Sequence, residues 1–220
     1  MTLGFVVAWK YGLAVANGVL RVDDSVIRDL EDALLIAEAS IDDNVLAASN
    51  GRSLPCCCIG DLRRIVSADL SCSEQVLDMC SQERFPLSEL PLMNLYAARQ
   101  RARSGDLDGA MPVMRKTMDD LFVRGQFMYF IPAVAVLMEV LVDRAAAGDL
   151  AEAEAAVDRL AAIPGADGWV VRDVMLLRLR ALLANARGDE ARYCDYRDRY
   201  RATATSLGFE GHMAWAAALP

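Results

Sequence analysis

Three short strings decide how this chain is read: RSGDLDGA at Arg103–Ala110, AAGDLAEA at Ala146–Ala153 and ARGDEARY at Ala186–Tyr193. Each sets a Gly-Asp pair between two helical patterns, and Gly105, Gly148 and Gly188 are 43 and 40 residues apart. Glycine takes the left-handed backbone that ends one helix, and the aspartate after it accepts hydrogen bonds from the first free amides of the next. Each Gly-Asp is therefore a tight turn between antiparallel helices.

The flanking periodicity agrees. After Gly105-Asp106 the apolar residues Leu107, Met111, Met114, Met118 and Leu121 advance by fours and threes, the spacing of one helix face. Leu150, Ala153, Val157, Leu160 and Ala161 follow the second turn, and Tyr193, Tyr196, Tyr200 and Leu207 the third. The tyrosines read as a core stripe with hydroxyls at its rim. Pro112 fits if its helix starts near Asp108 and the ring falls in the first turn. The first helices, over Ser88–Ser104, Tyr129–Ala147 and Trp169–Arg187, are apolar on more than one face, as helices with neighbours on both sides must be. A hairpin recurring about every 40 residues predicts an all-α chain, an α-α superhelix of tetratricopeptide-like (TPR-like) helical-hairpin repeats.

Residues 1–220 read as a single helical-repeat domain, with three hairpins plus a C-terminal helix over residues 86–220 and less regular helices over residues 1–85. In that first part helical patterns fall at Leu3–Leu20, Asp23–Ser40, Asp42–Ser49 and Ser73–Arg84. Leu3–Leu20 is too short and too interrupted, by Lys10, for a membrane span or a signal peptide, so a buried first helix is expected. Cys56-Cys57-Cys58, Cys72, Cys80 and Cys194 form no Cys-x-x-Cys pair. They read as small buried hydrophobes in a reducing cytoplasm.

Charge and missing motifs bound the function. A net charge of -8 argues against direct nucleic-acid binding, which draws on a surplus of Lys and Arg. With His212 as its single histidine the chain cannot build a multi-histidine metal site, and no cofactor is expected. Lys10 and Lys116, its two lysines, follow Trp and Arg, so no phosphate-cradling Gly-Lys loop exists. Gly-x-Ser-x-Gly and His-Glu-x-x-His are absent too. The doublets Asp23-Asp24, Asp42-Asp43 and Asp119-Asp120 read as helix-starting or solvated carboxylates. These observations point away from an enzyme.

RFPLSELPL (Arg84–Leu92), RARSGDLDGAMPVMRK (Arg101–Lys116), DLFVRGQ (Asp120–Gln126), LLRLRALLANARGD (Leu176–Asp189) and YRATATSLGFEGHMAWA (Tyr200–Ala216) resemble one known context. It is the C-terminal tetratricopeptide-like helical region of actinobacterial signalling proteins: class III adenylate or guanylate cyclases with an AAA-type ATPase module, and LuxR-type regulators. The resemblance implies a regulatory or protein-interaction role. It carries over no chemistry: the metal-binding aspartates of a Phe-x-Asp-Ile-x-Gly-Phe-type strand, the ATPase loop and a DNA-reading helix-turn-helix are all missing.

The leading expectation is thus a non-catalytic interaction or regulatory module with a protein partner, no membrane and a cytoplasmic location. The alternatives are a small-molecule sensor, in which the tyrosine and methionine stripes enclose an apolar ligand, and a cyclase in family name only. Polar residues on the first helices are the candidate partner contacts: Asn94 and Arg101 on the first, Glu139 and Asp143 on the second, Asp173, Arg180 and Arg187 on the third. Lined up across the stack they would form a mixed-charge groove, with Arg180 and Arg187 taking a partner's carboxylate. The chain's own Phe209–Leu219 segment is the competing cover for that groove.

Overall fold

A computed structural model describes residues 13–21, 24, 25, 28, 90–163 and 168–220 of the protein, and these contain helices and turns without a strand. Seven helices follow in order: α1 (Leu90–Arg103), α2 (Leu107–Val123), α3 (Phe127–Arg144), α4 (Asp149–Ala161), α5 (Val170–Ala186), α6 (Glu190–Leu207) and α7 (Glu210–Ala217). Residues 13–16 add a helical turn ahead of them. Cys56–Cys58, Cys72, Cys80 and the patterns at Asp42–Ser49 and Ser73–Arg84 lie outside the described residues, as does most of Asp23–Ser40.

The turns explain the order. Asp106 accepts from the Gly109 amide at 2.9 Å and Asp189 from the Arg192 amide at 3.1 Å, the capping bonds expected of Gly-Asp. The middle turn differs. There α3 ends on Ala145, itself left-handed, and Gly148 begins α4 with φ +91°. The Asp149 carboxylate turns back, taking two hydrogen bonds from Arg144 at 2.9 and 2.5 Å and one from the Ala146 amide at 2.8 Å. This guanidinium holds the Asp149 carboxyl below its usual range. Three or four residues between helices send the second back along the first, so α1 packs on α2, α3 on α4 and α5 on α6.

Successive pairs also touch through their first helices, α1 on α3 and α3 on α5, while α2 meets α3 and α4 meets α5. The central helix α3 is accordingly buried nearly all round, from Tyr129 to Met138 without a break. Fully buried Leu121, Phe130 and Leu141 contribute about 1.5–3 kcal/mol each. An aromatic seam crosses the turn-bearing end. Phe122 meets Phe127 and Phe130 at 5.9 and 5.2 Å, Phe127 meets Trp169 at 6.3 Å, and the Arg159 guanidinium lies 4.1 Å above Phe122.

Local expectations change in three places. Pro112 is the sixth residue of α2, past the first turn, and so removes a ladder hydrogen bond from the helix interior. The helix expected over Leu3–Leu20 ends at Ala16, with Gly18 in the left-handed region at φ +68°. Tyr200 is no rim residue: it is fully buried, with its hydroxyl on His212.

Segment 13–21 and α7 meet. The Asn17 amide donates to the carbonyls of Leu13 and Met128, and the His212 amide donates to the Gly18 carbonyl at 2.8 Å. A Cβ at Gly18 would lie 2.5 Å from the Trp215 ring, and one at Gly211 would lie 2.7 Å from the Gly18 carbonyl oxygen. Backbone meets backbone here because neither position carries a side chain.

Candidate functional site

The first helices carry a charged ladder across the stack. Glu139 on α3 accepts from Arg99 on α1 and from Arg178 on α5, both at 2.6 Å. These partners stand 40 and 39 residues from it, about one hairpin period. The side chains are only 12–28% exposed, so the two pairs are partly shielded from water. Arg178 also lies 4.9 Å over the Trp215 ring, which ends the ladder on α7. The second helices are bridged in the same way, Arg115 to Glu152 and Arg159 to Asp119.

The expected groove residues divide between faces. Glu139 belongs to the ladder. Its partners are Arg99 and Arg178 rather than Arg101 and Arg180, and two residues along a helix is a rotation of about 200°. Arg101 is exposed on the other side of α1, Asn94 is half-buried, and Asp143 and Asp173 are exposed. Asp173 takes hydrogen bonds from its neighbour Arg172. Sequence reasoning passed over Arg99 and Arg178; their near-period spacing from Glu139 is the signal that would have found them.

Arg180 and Arg187 do come together, in a cleft of about 330 Å³ between α4, α5 and α6. Its floor is apolar, from Val157, Leu183 and Ala184, and its walls carry three carboxylates, Glu154, Asp158 and Asp189, against three guanidiniums, those of Arg180, Arg187 and Arg192. Most of these charges are spent internally. Arg187 grips Glu154 through two hydrogen bonds of 2.8 and 2.5 Å, which holds the Glu154 carboxyl below its usual range. Arg192 pairs with Asp189 at 3.4 Å. Among the described residues, half-buried Arg180 makes no ion pair or hydrogen bond, and neither does the carboxylate of exposed Asp158. Of the two arginines expected to take a carboxylate, Arg187 already holds one and Arg180 does not.

Comparisons with protein-family models, with curated proteins and with solved structures find no match to this chain. Its function has to be argued from its own geometry.

Tyr200 and His212 are the one buried pair of titratable side chains in direct contact among the described residues. The Tyr200 hydroxyl lies 3.0 Å from the His212 carbonyl and 2.9 Å from its Nδ1. A carbonyl only accepts, so both bonds are made when the hydroxyl donates to it and Nδ1–H donates to the hydroxyl. Burial, with Arg178 nearby, pushes the imidazole down to about 4. A histidine held neutral with no path to solvent ties α6 to α7. Among the described residues no cluster of His, Cys, Asp or Glu is placed to hold a metal, and no helix is long and apolar enough to cross a membrane.

Proposed function

We propose that the chain is a non-catalytic helical-repeat module that binds a protein partner, its hairpins continuing one another as in a tetratricopeptide-like superhelix. The observation that carries this reading is the cleft between α4, α5 and α6, where among the described residues Arg180 makes no ion pair while Arg187 and Arg192 are paired. A guanidinium offers fork-shaped donors that fit a carboxylate, and stacked hairpins hold such a group on a rigid edge open to another protein. The resemblance to the C-terminal region of cyclase and LuxR-type regulators supports the same role. On this reading the chain itself converts no nucleotide and binds no nucleic acid, and its setting is the cytoplasm.

The test is recovery of partners from native cytosol by the full chain and by Arg180→Glu. Arg180 has no bond to lose, so the fold persists while the partner profile changes. An identical profile with identical helicity would sink the reading. Conversion of ATP or GTP by the purified chain, abolished by a substitution within it, would replace it with an enzymatic one.

A further inference from the structure

Within the repeat, one interval serves as a control for the next. Aligned on Gly105, Gly148 and Gly188, the second helices keep one inward register. The fifth residue after each glycine (Ala110, Ala153, Tyr193) and the twelfth (Thr117, Leu160, Tyr200) are all buried. On the second helices this alignment sets Glu154 against Met111 and Tyr196 against Ala156. The first helices end at different distances from the glycine, so they are matched from their ends, Arg144 and Ala186, which sets Arg180 against Met138. Met111 and Met138 are core residues at 2% and 0% exposure, so the earlier interval carries apolar side chains where the later one carries Glu154 and Arg180. It is also strapped shut, because Arg115 holds Glu152 through bonds of 2.6 and 2.7 Å.

The counterparts of that strap are Asp158 and Arg192, the same two charges exchanged between helices. They do not meet. Arg192 pairs with Asp189, and among the described residues Asp158 makes no ion pair, its charge acting on Arg187 only at longer range. The later interval thus lacks the apolar pair and the strap, and among the described residues it presents a guanidinium, Arg180, and a carboxylate, Asp158, that are in no ion pair, above an apolar floor. Half-burial of Arg180 costs hydration that no hydrogen bond or ion pair among the described residues returns.

We propose that this cleft binds a peptide segment of a partner protein bearing an acidic and a basic side chain about one helical turn apart, with Arg180 taking the carboxylate and Asp158 the cation. The inference rests on the reading of the chain as an interaction module and adds the partner's chemistry. A peptide is favoured over a free metabolite because the cleft lies open along Asp158, Arg187 and Arg192, all exposed, so a chain can enter and leave along it. The apolar floor then takes the side chain between the two charges.

The experiment titrates the full chain with a short helical peptide carrying Glu and, four residues later, Lys. Matched peptides replace either residue with Gln. Binding is followed by NMR at the Arg180 Nε–H and the Leu183 methyl groups. The Glu/Lys peptide is expected to shift both signals. Arg180→Gln weakens it about tenfold, as loss of a charge-assisted bond does, and Asp158→Asn about fivefold. Asp158→Asn leaves the affinity of the peptide lacking Lys unchanged. No shift at the cleft up to millimolar peptide overturns the proposal. So does indifference of the Glu/Lys peptide to Asp158→Asn, although Arg180-dependent binding of an acidic peptide would leave the interaction module standing. Glycine, a minimal zwitterion, shifting the same signals with equal affinity would assign the cleft to a small molecule and overturn the peptide.

Discussion

A single residue shows how far context moves chemistry in this chain. His212 is the one histidine of the sequence, and burial between α6 and α7, with Arg178 on α5 nearby, holds it neutral against the opposing pull of a hydrogen bond with the Asn17 backbone. Its folded-state value of about 4 lies below the ordinary imidazole value of 6.5, so between those limits the unfolded chain binds the proton more readily. Stability linked to His212 is therefore complete above about pH 6.5 and is lost as the pH falls toward 4. The melting temperature of the protein should drop over that window, and His212→Gln, which does not titrate, should flatten the drop. An equal slope in both proteins would show that the imidazole is not held as described. The carboxyl of Asp149, held low by Arg144, adds its own loss at more acid pH, below the ordinary carboxylate range.

At the scale of elements, turns and bridges set the pairing. Gly148 starts α4 at φ +91° with no atom within 4 Å of where a Cβ would stand, so a substitution there meets backbone strain without a clash. Gly148→Val is expected to destabilise by ~1 kcal/mol or more, read from denaturant unfolding. An unchanged midpoint would contradict the left-handed turn. Glu139 serves two arginines at once. Glu139→Ala leaves Arg99 and Arg178 facing each other across α3 without their shared carboxylate, and a loss of about 1–2 kcal/mol is expected, because the pairs are only partly shielded. Glu139→Gln should recover part of it by keeping acceptors and donors in place. Equal losses for both variants would mean that packing, and not charge, is what Glu139 supplies.

Across the whole molecule, the contact of segment 13–21 with α7 joins residues near the two ends of the chain. It rests on the Gly18 carbonyl, the His212 amide and two positions without side chains. Gly211→Ala places a methyl group 2.7 Å from the Gly18 carbonyl oxygen, so the two backbones must part. Hydrogen exchange should then rise over residues 13–21 and at the His212 amide, while α1–α5 stay as protected as before. Uniform protection in the variant would show that the contact contributes nothing. Loss of protection throughout would show that the stacked helices depend on it.

The helices were legible in the sequence because their signals are local. Glycine at the turns, aspartate after it and apolar residues at steps of three and four act within one or two helical turns, so the helices of the described residues and the capped turns at Gly105 and Gly188 could be read directly, while at Gly148 the turn was read but not its left-handed Ala145 or the Asp149–Arg144 pair. Arg180 could be singled out for the same reason, as a charge interrupting an apolar helix. Rotation about the helix axis was not legible. Whether Arg99 or Arg101, and Arg178 or Arg180, faces Glu139 depends on how α1, α3 and α5 are turned against one another, and that is settled by packing among residues some 40 positions apart. The same holds for Arg187, which looks as available as Arg180 in sequence and is claimed by Glu154 once α4 lies beside α5. Sequence by itself determined where the described helices lie and which side chains carry charge; tertiary structure decided which charges neutralise each other and that half-buried Arg180 is not among them, because pairing needs two helices at a fixed distance and angle.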